Sequence, residues 1–564
     1  MERLKWAACG VVLLGAVFAA YSNHFHNDFH FDDSHTVQEN PFIRDLHNIP
    51  RFFTDGTTFS SLPTNQSYRP LISTTLAIDY HLAHGLNPLW FHVDTFIWYV
   101  LLLVALFFLF RRVMEASAPD PGASDPNAAY IAMLAVALFG LHPVCAESVN
   151  YIVQRGEIHS TLGVVLAMVM YIEWPRGRVT CLYLLPVIIG SLSKPPALMF
   201  LPIVFIYVYL FESEGSIVER GMRAARAAIP AVIVFIGMSA LQWRMTPKTY
   251  SNGATSAYLY WLTQPGVILH YIKQFFLPTD LTADTDRELV SGILSENFVL
   301  SMAMITMILG AIWPLLRKRD MRAFTFGLWW FAFALAPTSL APLAEVDNDH
   351  RMFFPFVGLT LAVVWGVSRI KLLSRFPNVT AVAAALILAG CAWGTHERNA
   401  VWHSEESLWK DVSEKSPHNG RGLMNYGLTL MGKGDLEGAL DLFTRAEAFT
   451  PEYATLKINL GIVHGALEHD AEAQAKFHEA IELSPDDAQT YYYYARYLHE
   501  KRKDDEAIPL LRKASSMNHS YAEPLYLLME VYSDRHDAAN LRATAQETLQ
   551  LFPGDETAAK YLKP

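Results

Sequence analysis

Long apolar segments alternate with short polar ones over roughly the first 400 residues of the chain. A helix needs about 20 mostly apolar residues to cross a bilayer. Candidate segments lie at 4–21, 90–110, 128–146, 157–173, 179–193, 196–212, 227–243, 297–316, 323–341, 352–370 and 378–396. The pattern predicts an all-α, polytopic bundle of about 11 spans. A cleaved signal peptide is the alternative for the first segment, but no small-residue cleavage site precedes Ser22, which favours a retained anchor.

Basic residues mark alternate loops between these segments. They are Arg111 and Arg112; Arg176 and Arg178; Arg220, Arg223 and Arg226; Arg317, Lys318 and Arg319; and Lys371 and Arg375. Because basic loops stay in the cytoplasm, the N-terminus is predicted to be cytoplasmic and loops 22–89 and 244–296 to lie outside. We expect the moderately apolar stretch 258–278 to lie along the membrane or dip into it. The odd number of spans then places the chain after about residue 395 outside as well.

The last quarter of the chain carries an internal repeat of 34 residues, marked by Pro417, Pro451 and Pro485. Small and large positions recur with it: Gly427, Ala439, Phe443 and Ala446; then Gly461, Ala473, Phe477 and Ala480; then Ala495, Ala507, Leu511 and Ala514. This is the pattern of tetratricopeptide repeats, in which small residues let paired helices approach closely. We predict three repeats (420–453, 454–487 and 488–521) and a degenerate capping one (522–555).

The repeats define the predicted domain organisation. Residues 1–396 form the membrane domain, 397–419 a linker or first helix, and 420–564 an α-solenoid. Such an array binds a protein partner or serves as a spacer or dimerisation platform, and the tyrosine run 491–494 either lines a groove or packs in the core. The short array favours a bacterial inner membrane, with the repeats in the periplasm, over an endoplasmic reticulum membrane.

Composition agrees with this division. Hydrophobic residues make up 52% of the chain and charged residues 18%, against about a quarter in soluble domains. Residues from Asp411 onward hold 25 acidic and 16 basic side chains, so most of the net charge of −11 belongs to the repeats and disfavours nucleic acid. The four cysteines lie in or beside apolar segments without metal-binding spacing, so no disulfide framework is expected.

An acidic pair, Asp32-Asp33, follows the first segment closely. Carboxylates beside a membrane either serve chemistry or face solvent. In the first interpretation one carboxylate takes a proton from an attacking hydroxyl, and the other holds the acceptor, a metal, or the first carboxylate in its charged form. In the second, one of them caps the following helical turn. The sequence leaves both open.

Further polar motifs occupy the outer segments. They are Asn40-Pro41, Tyr68-Arg69-Pro70-Leu71, Asn87-Pro88 with His92, His142-Pro143 with Glu147, Arg155 and Glu157, Ser193-Lys194, and His350-Arg351 with Phe354-Pro355. With the acidic pair, their order resembles the GT-C glycosyltransferases. More closely, the chain resembles the membrane proteins with C-terminal tetratricopeptide repeats whose eukaryotic members are protein O-mannosyltransferases. It departs from that group at His350 and Pro195, where glutamate is usual.

The resemblance implies an inverting transfer of mannose or a similar hexose from a polyprenyl phosphate to a hydroxyl of a protein acceptor outside the cytoplasm. Asp32 then aligns with the catalytic base, and Asp33 orients the acceptor or shares that role. The expected ligands of the donor phosphate are Arg69, Arg155, Lys194, His350 and Arg351. The expected acceptor or sugar contacts are Tyr68, His92, Glu147 and Glu157. The repeats would recruit the acceptor.

Structural alternatives accompany these assignments. An interfacial arginine often extends towards lipid headgroups, and Arg155 could form an ion pair with Glu157 or Glu147. Lys194 is the stronger candidate because it lies between two apolar segments, where charge is costly.

No cofactor is expected, and a phosphate-linked donor has no pyrophosphate that would require a metal. The Asp284-Thr-Asp286 motif is a weak metal signal. His24, His26, His30 and His35 lack the spacing of a metal site.

Other functions remain possible from the sequence. The sugar could pass to a lipid-linked or cell-envelope glycan, and a ligase using a pyrophosphate-linked glycan is disfavoured by the acidic pair after the first span. A membrane-anchored scaffold needs only one span. A lipid transporter should carry polar groups midway along its spans, and few occur in 128–140 or 301–316.

Overall fold

The computed structural model describes residues 2–117, 127–250, 253 and 256–562, with side chains from Trp6 onward. Within these residues the chain is helical and contains no strand. It divides into two compact units, Met1–Leu408 and Trp409–Pro564. The main helices of the first unit are Glu2–Ala20, Pro70–Leu82, Pro88–Ala116, Ala128–Gly140, Cys145–Asn150, Arg155–Glu173, Leu185–Ser191, Phe200–Tyr207, Ile217–Met245, Ala257–Phe276, Glu296–Leu316, Arg322–Leu340, Phe353–Ser368 and Pro377–Val401.

Eight helices in the described part of the chain are long and apolar enough to cross a membrane, which makes the chain a multi-pass membrane protein. They are Trp6–His26, Pro88–Ala116, Pro195–Glu212, Ile217–Met245, Glu296–Leu316, Arg319–Leu340, Asp349–Ser368 and Pro377–Val401. Each overlaps one of the 11 predicted segments.

The three remaining segments are not among these eight helices. The segment 128–146 contains Ala128–Gly140, which at 13 residues spans about 20 Å and is shorter than a bilayer core. The segment 179–193 contains only the short apolar helix Leu182–Ser191. The segment 157–173 lies in the 19-residue helix Arg155–Glu173, whose first turns bury the charged residues Arg155 and Glu157. Chain breaks shorten the first two segments, and polar residues lower the hydropathy of the third.

Close backbone contacts hold the helices around the polar end of this unit. A Cβ placed on Gly163 would lie 2.5 Å from the carbonyl oxygen of Pro186 and 3.1 Å from the Cα of Gly190. Only glycine therefore lets helix Arg155–Glu173 pack directly on helix Leu185–Ser191. Glu157 lies in the first turn of helix Arg155–Glu173, and Lys194 follows helix Leu185–Ser191 by three residues.

The segment 22–89 after the first helix begins as a series of short helical turns followed by Pro70–Leu82. The Asn87-Pro88 motif begins the next long helix: the Asn87 side chain accepts a hydrogen bond from the amide of Leu89 (3.2 Å), and Pro88 occupies the first turn. Helix Ala257–Phe276, within the segment 244–296, is not among the eight candidate spans.

The second unit is a stack of helix pairs. After Glu405–Lys415, which spans the boundary, the helices are Gly420–Gly432, Leu436–Phe449, Ala454–Ala466, Asp470–Leu483, Ala488–Glu500, Asp504–Met517, Glu523–Asp534, Ala538–Leu551 and Glu556–Leu562. Each of the four predicted repeats contains two of them. A Cβ on Gly427 would lie 2.6 Å from the Phe443 ring, and one on Gly461 would lie 2.8 Å from the Phe477 ring. The small positions of the repeat are therefore needed for close packing.

The tyrosine run divides between core and surface. Tyr491 and Tyr494 are buried, whereas Tyr492 and Tyr493 are partly exposed. This alternation follows from the helical period, which turns two of four consecutive side chains inward.

Candidate active site

The acidic pair lies on a turn directly after the first membrane helix. Phe31, the residue before the pair, has a φ of 51°, a left-handed conformation that is unfavourable for a residue with a side chain. A five-residue helical turn, Ser34–Gln38, follows, and the Asp33 side chain makes no capping hydrogen bond to it. The Asp32 carbonyl accepts the amide of Thr36 (2.9 Å). The capping interpretation therefore does not explain the pair.

Asp32 presents its carboxylate to the outside of the fold, with 49% of its side chain exposed. Its Oδ1 lies 3.2 Å from Nε2 of His35 and 3.5 Å from Nδ2 of Asn65. Burial raises the pKa of Asp32, but the His35 hydrogen bond and charge and the charge of Arg69 outweigh it, so the pKa lies below the ordinary value. The side chain is thus an ionised, accessible carboxylate.

Asp33 has the opposite environment. Its side chain is fully buried, with Oδ2 accepting the amide of His30 (3.1 Å) and Oδ1 accepting the amide of Val153 (2.9 Å). Burial raises its pKa to about 7 against these hydrogen bonds. The Asp33 carboxylate joins the acidic turn to the turn that precedes Arg155.

Lys194 is nearly enclosed, with 13% of its side chain exposed. Its Nζ donates to Oε1 of Gln154 (2.7 Å) and to Oε1 of Glu157 (2.6 Å). Burial lowers the pKa of Lys194, the charge of Glu157 raises it, and the charges of Arg69 and Arg351 lower it further. Three of the predicted phosphate ligands therefore lie close together, and Arg69 also acts on Asp32.

His350 and Glu147 form a second buried pair beside these cations. The Nδ1 of His350 lies 2.9 Å from Oε1 of Glu147, and Arg351 donates from Nη1 to the carbonyl of Glu345 (2.9 Å). Burial, followed by the charge of Asp349, raises the pKa of Glu147 well above the ordinary value. Glu147 thus contacts His350, and Glu157 contacts Lys194, so each of these two predicted sugar contacts is paired with a predicted phosphate ligand.

Arg155 does not share this cluster. It is fully buried, and its Nη1 contacts carboxylates of both Asp79 and Asp94, the latter at 2.8 Å. Its Nη2 donates to the carbonyl of Phe91 (2.9 Å), and its Nε donates to the carbonyl of Ile152 (3.2 Å). This arrangement corrects the expected contact with the donor phosphate, because every nitrogen of the guanidinium already has a protein acceptor. Arg155 does form an ion pair, but its partners are Asp79 and Asp94 instead of Glu157 or Glu147.

Tyr68 and His92 also lie inside the fold. Tyr68 is 5% exposed and donates its hydroxyl to the carbonyl of Phe53 (3.0 Å). His92 is fully buried, with Nε2 3.0 Å from the carbonyl oxygen of Asn27. Both side chains hold the outer segment together and are not open to a sugar, which corrects the expected contact role.

The structure adds residues that the sequence patterns did not single out. Tyr151 accepts the backbone amide of Asp32 on its hydroxyl (3.0 Å), and its ring stacks on Trp402 at 6.0 Å. His35 and Asn65 contact the Asp32 carboxylate directly. His35 lies three residues after Asp32, a spacing that brings two side chains together on a helical turn and could have predicted this contact. Tyr151, Asn65 and Trp402 are distant from Asp32 in the chain, so no sequence spacing could have indicated their positions.

A cavity of about 820 Å³ is lined in part by Pro195, the residue after Lys194. Apolar side chains dominate its lining, which includes Leu198, Met199, Phe235 and Trp243, and Arg244 and Lys248 lie among them.

The described residues contain no group of three His, Cys, Asp or Glu side chains that could hold a metal ion. His24 contacts Asn150, His30 contacts Glu405 and the Trp402 carbonyl, and His35 contacts Ser60 and Asp32.

Comparison with known proteins identifies relatives along most of the chain, although no protein-family model matches it. The protein O-mannosyl-transferase F38B6.6 of Caenorhabditis elegans is 22% identical over 457 residues, which cover 78% of this chain and 63% of that protein. The human protein O-mannosyl-transferase TMTC1 is 22% identical over 575 residues, covering 92% of this chain and 63% of that protein. The chain resembles the protein O-mannosyl-transferases. It spans a little under two thirds of the length of these two relatives.

Solved structures give weaker matches. YrrB, described as a TPR protein with an unusual peptide-binding site, is 17% identical, with a TM-score of 0.24 over 34% of this chain and 95% of that chain. A TM-score this low does not establish a common fold. The assignment of the repeats rests on their own helix pairs and on the glycine contacts described above.

Proposed function

We propose that the chain is an inverting glycosyltransferase that moves a mannose or similar hexose from a polyprenyl phosphate to a hydroxyl of a protein acceptor. The observation that carries the proposal is the placement of an exposed, ionised Asp32 next to a cluster formed by Arg69, Lys194 and Arg351. A base and a set of cations are the two parts that such a transfer requires. The names of the similar proteins support the same reaction.

In the proposed reaction the acceptor hydroxyl attacks the anomeric carbon from the side opposite the phosphate. His35 and Asn65 both contact Oδ1 of Asp32, so Oδ2 takes the hydroxyl proton. The new bond joins the acceptor oxygen to the anomeric carbon as the bond from that carbon to the phosphate oxygen breaks. The electron pair of the broken bond stays on the phosphate, whose developing charge Lys194, Arg69 and Arg351 stabilise.

We propose that the lipid portion of the donor occupies the cavity that Pro195 helps to line, because the apolar lining of this cavity suits a polyprenyl chain. Pro195 follows Lys194 in the chain, which supports a phosphate position near Lys194. Glu157 and Gln154 hold the Lys194 ammonium towards that phosphate.

We further propose that transfer needs no divalent metal, because three cationic side chains are available for one phosphate. Transfer by the full chain in vesicles should therefore persist in excess EDTA. The proposal also includes an acceptor-binding role for the repeat array and a location of the acidic turn outside the cytoplasm, which cysteine labelling at residues of loop 22–89 would test.

The reaction is tested with purified full chain in lipid vesicles, a polyprenyl-phosphate mannose and an unfolded acceptor protein rich in serine and threonine. The expected result is mannose on hydroxyl side chains, with inverted anomeric configuration by NMR. Transfer by wild-type chain that is absent from Asp32→Asn supports the assignment. Full transfer by Asp32→Asn overturns it.

A further inference from the structure

The segment that follows the last membrane helix turns back to the acidic turn. Helix Pro377–Val401 ends at Trp402, whose ring is fully buried. The Trp402 ring stacks on Tyr151 with an interplanar angle of 23° and lies 6.0 Å from the ring of Phe31. Phe31, Tyr151 and Trp402 thus form one aromatic cluster from distant parts of the chain, and the hydroxyl of Tyr151 accepts the amide of Asp32.

His30 joins the same segment by two hydrogen bonds. Its Nε2 lies 2.6 Å from the carbonyl oxygen of Trp402, and its Nδ1 lies 2.8 Å from Oε1 of Glu405. A carbonyl and an ionised carboxylate can only accept hydrogen bonds. Both ring nitrogens must therefore carry a proton, so the two bonds exist together only when His30 is an imidazolium.

These contacts bear on the geometry of Asp32. The backbone amide of His30 donates to Asp33, and the backbone amide of Asp32 donates to the hydroxyl of Tyr151. Between them Phe31 holds its left-handed backbone conformation, which persists only where surrounding contacts enforce it. The rings of Tyr151 and Trp402, whose centroids lie 5.5 Å and 6.0 Å from that of Phe31, pack against Phe31 and hold it in this conformation.

We propose that His30, Trp402 and Glu405 are positioning residues that fix the direction of the Asp32 carboxylate, with the His30 imidazolium fastening the segment after the last span to the acidic turn. This proposal rests on the proposed function of Asp32 as the base. The charged and titratable groups that face His30 are Glu405 on the segment after the span, Asp33 on its own turn and His92 on helix Pro88–Ala116.

The contact between His30 and Glu405 is tested by Glu405→Ala, which removes the carboxylate that lies 2.8 Å from Nδ1 of His30. Because the segment after the last span then loses one of its two hydrogen bonds to His30, kcat should fall with little change in the donor KM. The matched control is His403→Gln, which changes an exposed histidine one residue after Trp402.

The ring of Trp402 is tested by two substitutions in the full chain. Trp402→Ala removes the stacking surface and should lower kcat by about 10²-fold with little change in the donor KM, since misplacing a catalytic group by about 1 Å has that effect. Trp402→Phe keeps an aromatic ring and loses only the indole N–H, which has no hydrogen-bond partner among the described residues. It should restore most of kcat.

Hydrogen exchange supplies a measurement that does not depend on activity. Amides of residues 30–38 should exchange faster in Trp402→Ala than in wild-type chain, and Trp402→Phe should resemble the wild type. Equal exchange and equal kcat in Trp402→Ala and wild type would overturn the positioning role, as would a kcat that Glu405→Ala leaves unchanged. If the wild-type chain transfers no sugar, the proposed function fails, and the exchange data alone decide whether this segment orders the turn.

Discussion

Asp32 and Asp33 are neighbours in the chain, yet only Asp32 is accessible to a substrate: its side chain is half exposed, whereas that of Asp33 is fully buried and accepts two backbone amides. The turn gives these adjacent carboxylates different chemistry. One is available to take a proton, and the other maintains the turn that presents it.

Substitution of the two aspartates should therefore have different effects. Asp32→Asn should lower the transfer rate by about 10³-fold without loss of folding, because it removes a general base from a half-exposed position. Asp33→Asn should lower the free energy of unfolding by about 1–3 kcal/mol, since one of its two amide partners loses an acceptor. Transfer assays and thermal unfolding in detergent measure both. Equal loss of stability in the two variants would contradict this division.

The titration of Asp33 should make stability depend on pH. Burial raises its pKa from an ordinary 3.8 to about 7 in the folded chain. Between these values the folded state binds more protons than the unfolded state, so the contribution of Asp33 to stability falls as pH rises from about 4 to about 7. The difference in Tm between wild type and Asp33→Asn should change in that window. A constant difference would show that Asp33 does not titrate there.

Arg155 should contribute to folding rather than to donor binding. Arg155→Met leaves Asp79 and Asp94 without their cationic partner and should cost about 3–5 kcal/mol, because an unpaired buried charge is strongly destabilising. Adding Asp79→Asn and Asp94→Asn should restore part of the stability. The fraction of protein that stays monodisperse on heating measures both effects. A raised donor KM with unchanged stability would instead indicate contact with the phosphate.

Lys194 should contribute to the stabilisation of the leaving phosphate. Lys194→Met should lower kcat/KM for the donor by about 10²- to 10³-fold, the usual effect of removing one donor to a developing charge. The double variant Lys194→Met, Glu157→Gln removes the carboxylate left without its partner and separates misfolding from lost transfer. Lys371→Met, on an exposed helical turn, is the matched control. Normal kcat/KM in the folded double variant would exclude this role.

The repeat array should be sensitive to one glycine and tolerant at another on the same helix. Gly427→Ala places a Cβ 2.6 Å from the Phe443 ring and should destabilise the array by about 1–3 kcal/mol. Gly432→Ala, at a position with no other atom within 4 Å, should be neutral or stabilising. Limited proteolysis of the full chain between residues 420 and 453 compares them. Equal cleavage of both variants would contradict the close packing.

The amino-acid sequence by itself determined the features that are local or periodic. Apolar length predicted membrane helices, a 34-residue period predicted the helix pairs of the repeat array, and Asp32-Asp33 after the first helix indicated where chemistry could lie. Each depends on residues within a few helical turns of one another, where propensity and spacing act directly.

Only the tertiary structure decided which aspartate is accessible, that Arg155 pairs with Asp79 and Asp94, and that Trp402 supports the acidic turn. These outcomes depend on partners as distant in the chain as His30 and Glu405, which are 375 positions apart. The physical reason is that burial and neighbouring charge determine what an ionisable side chain can do, and both arise when distant segments pack together.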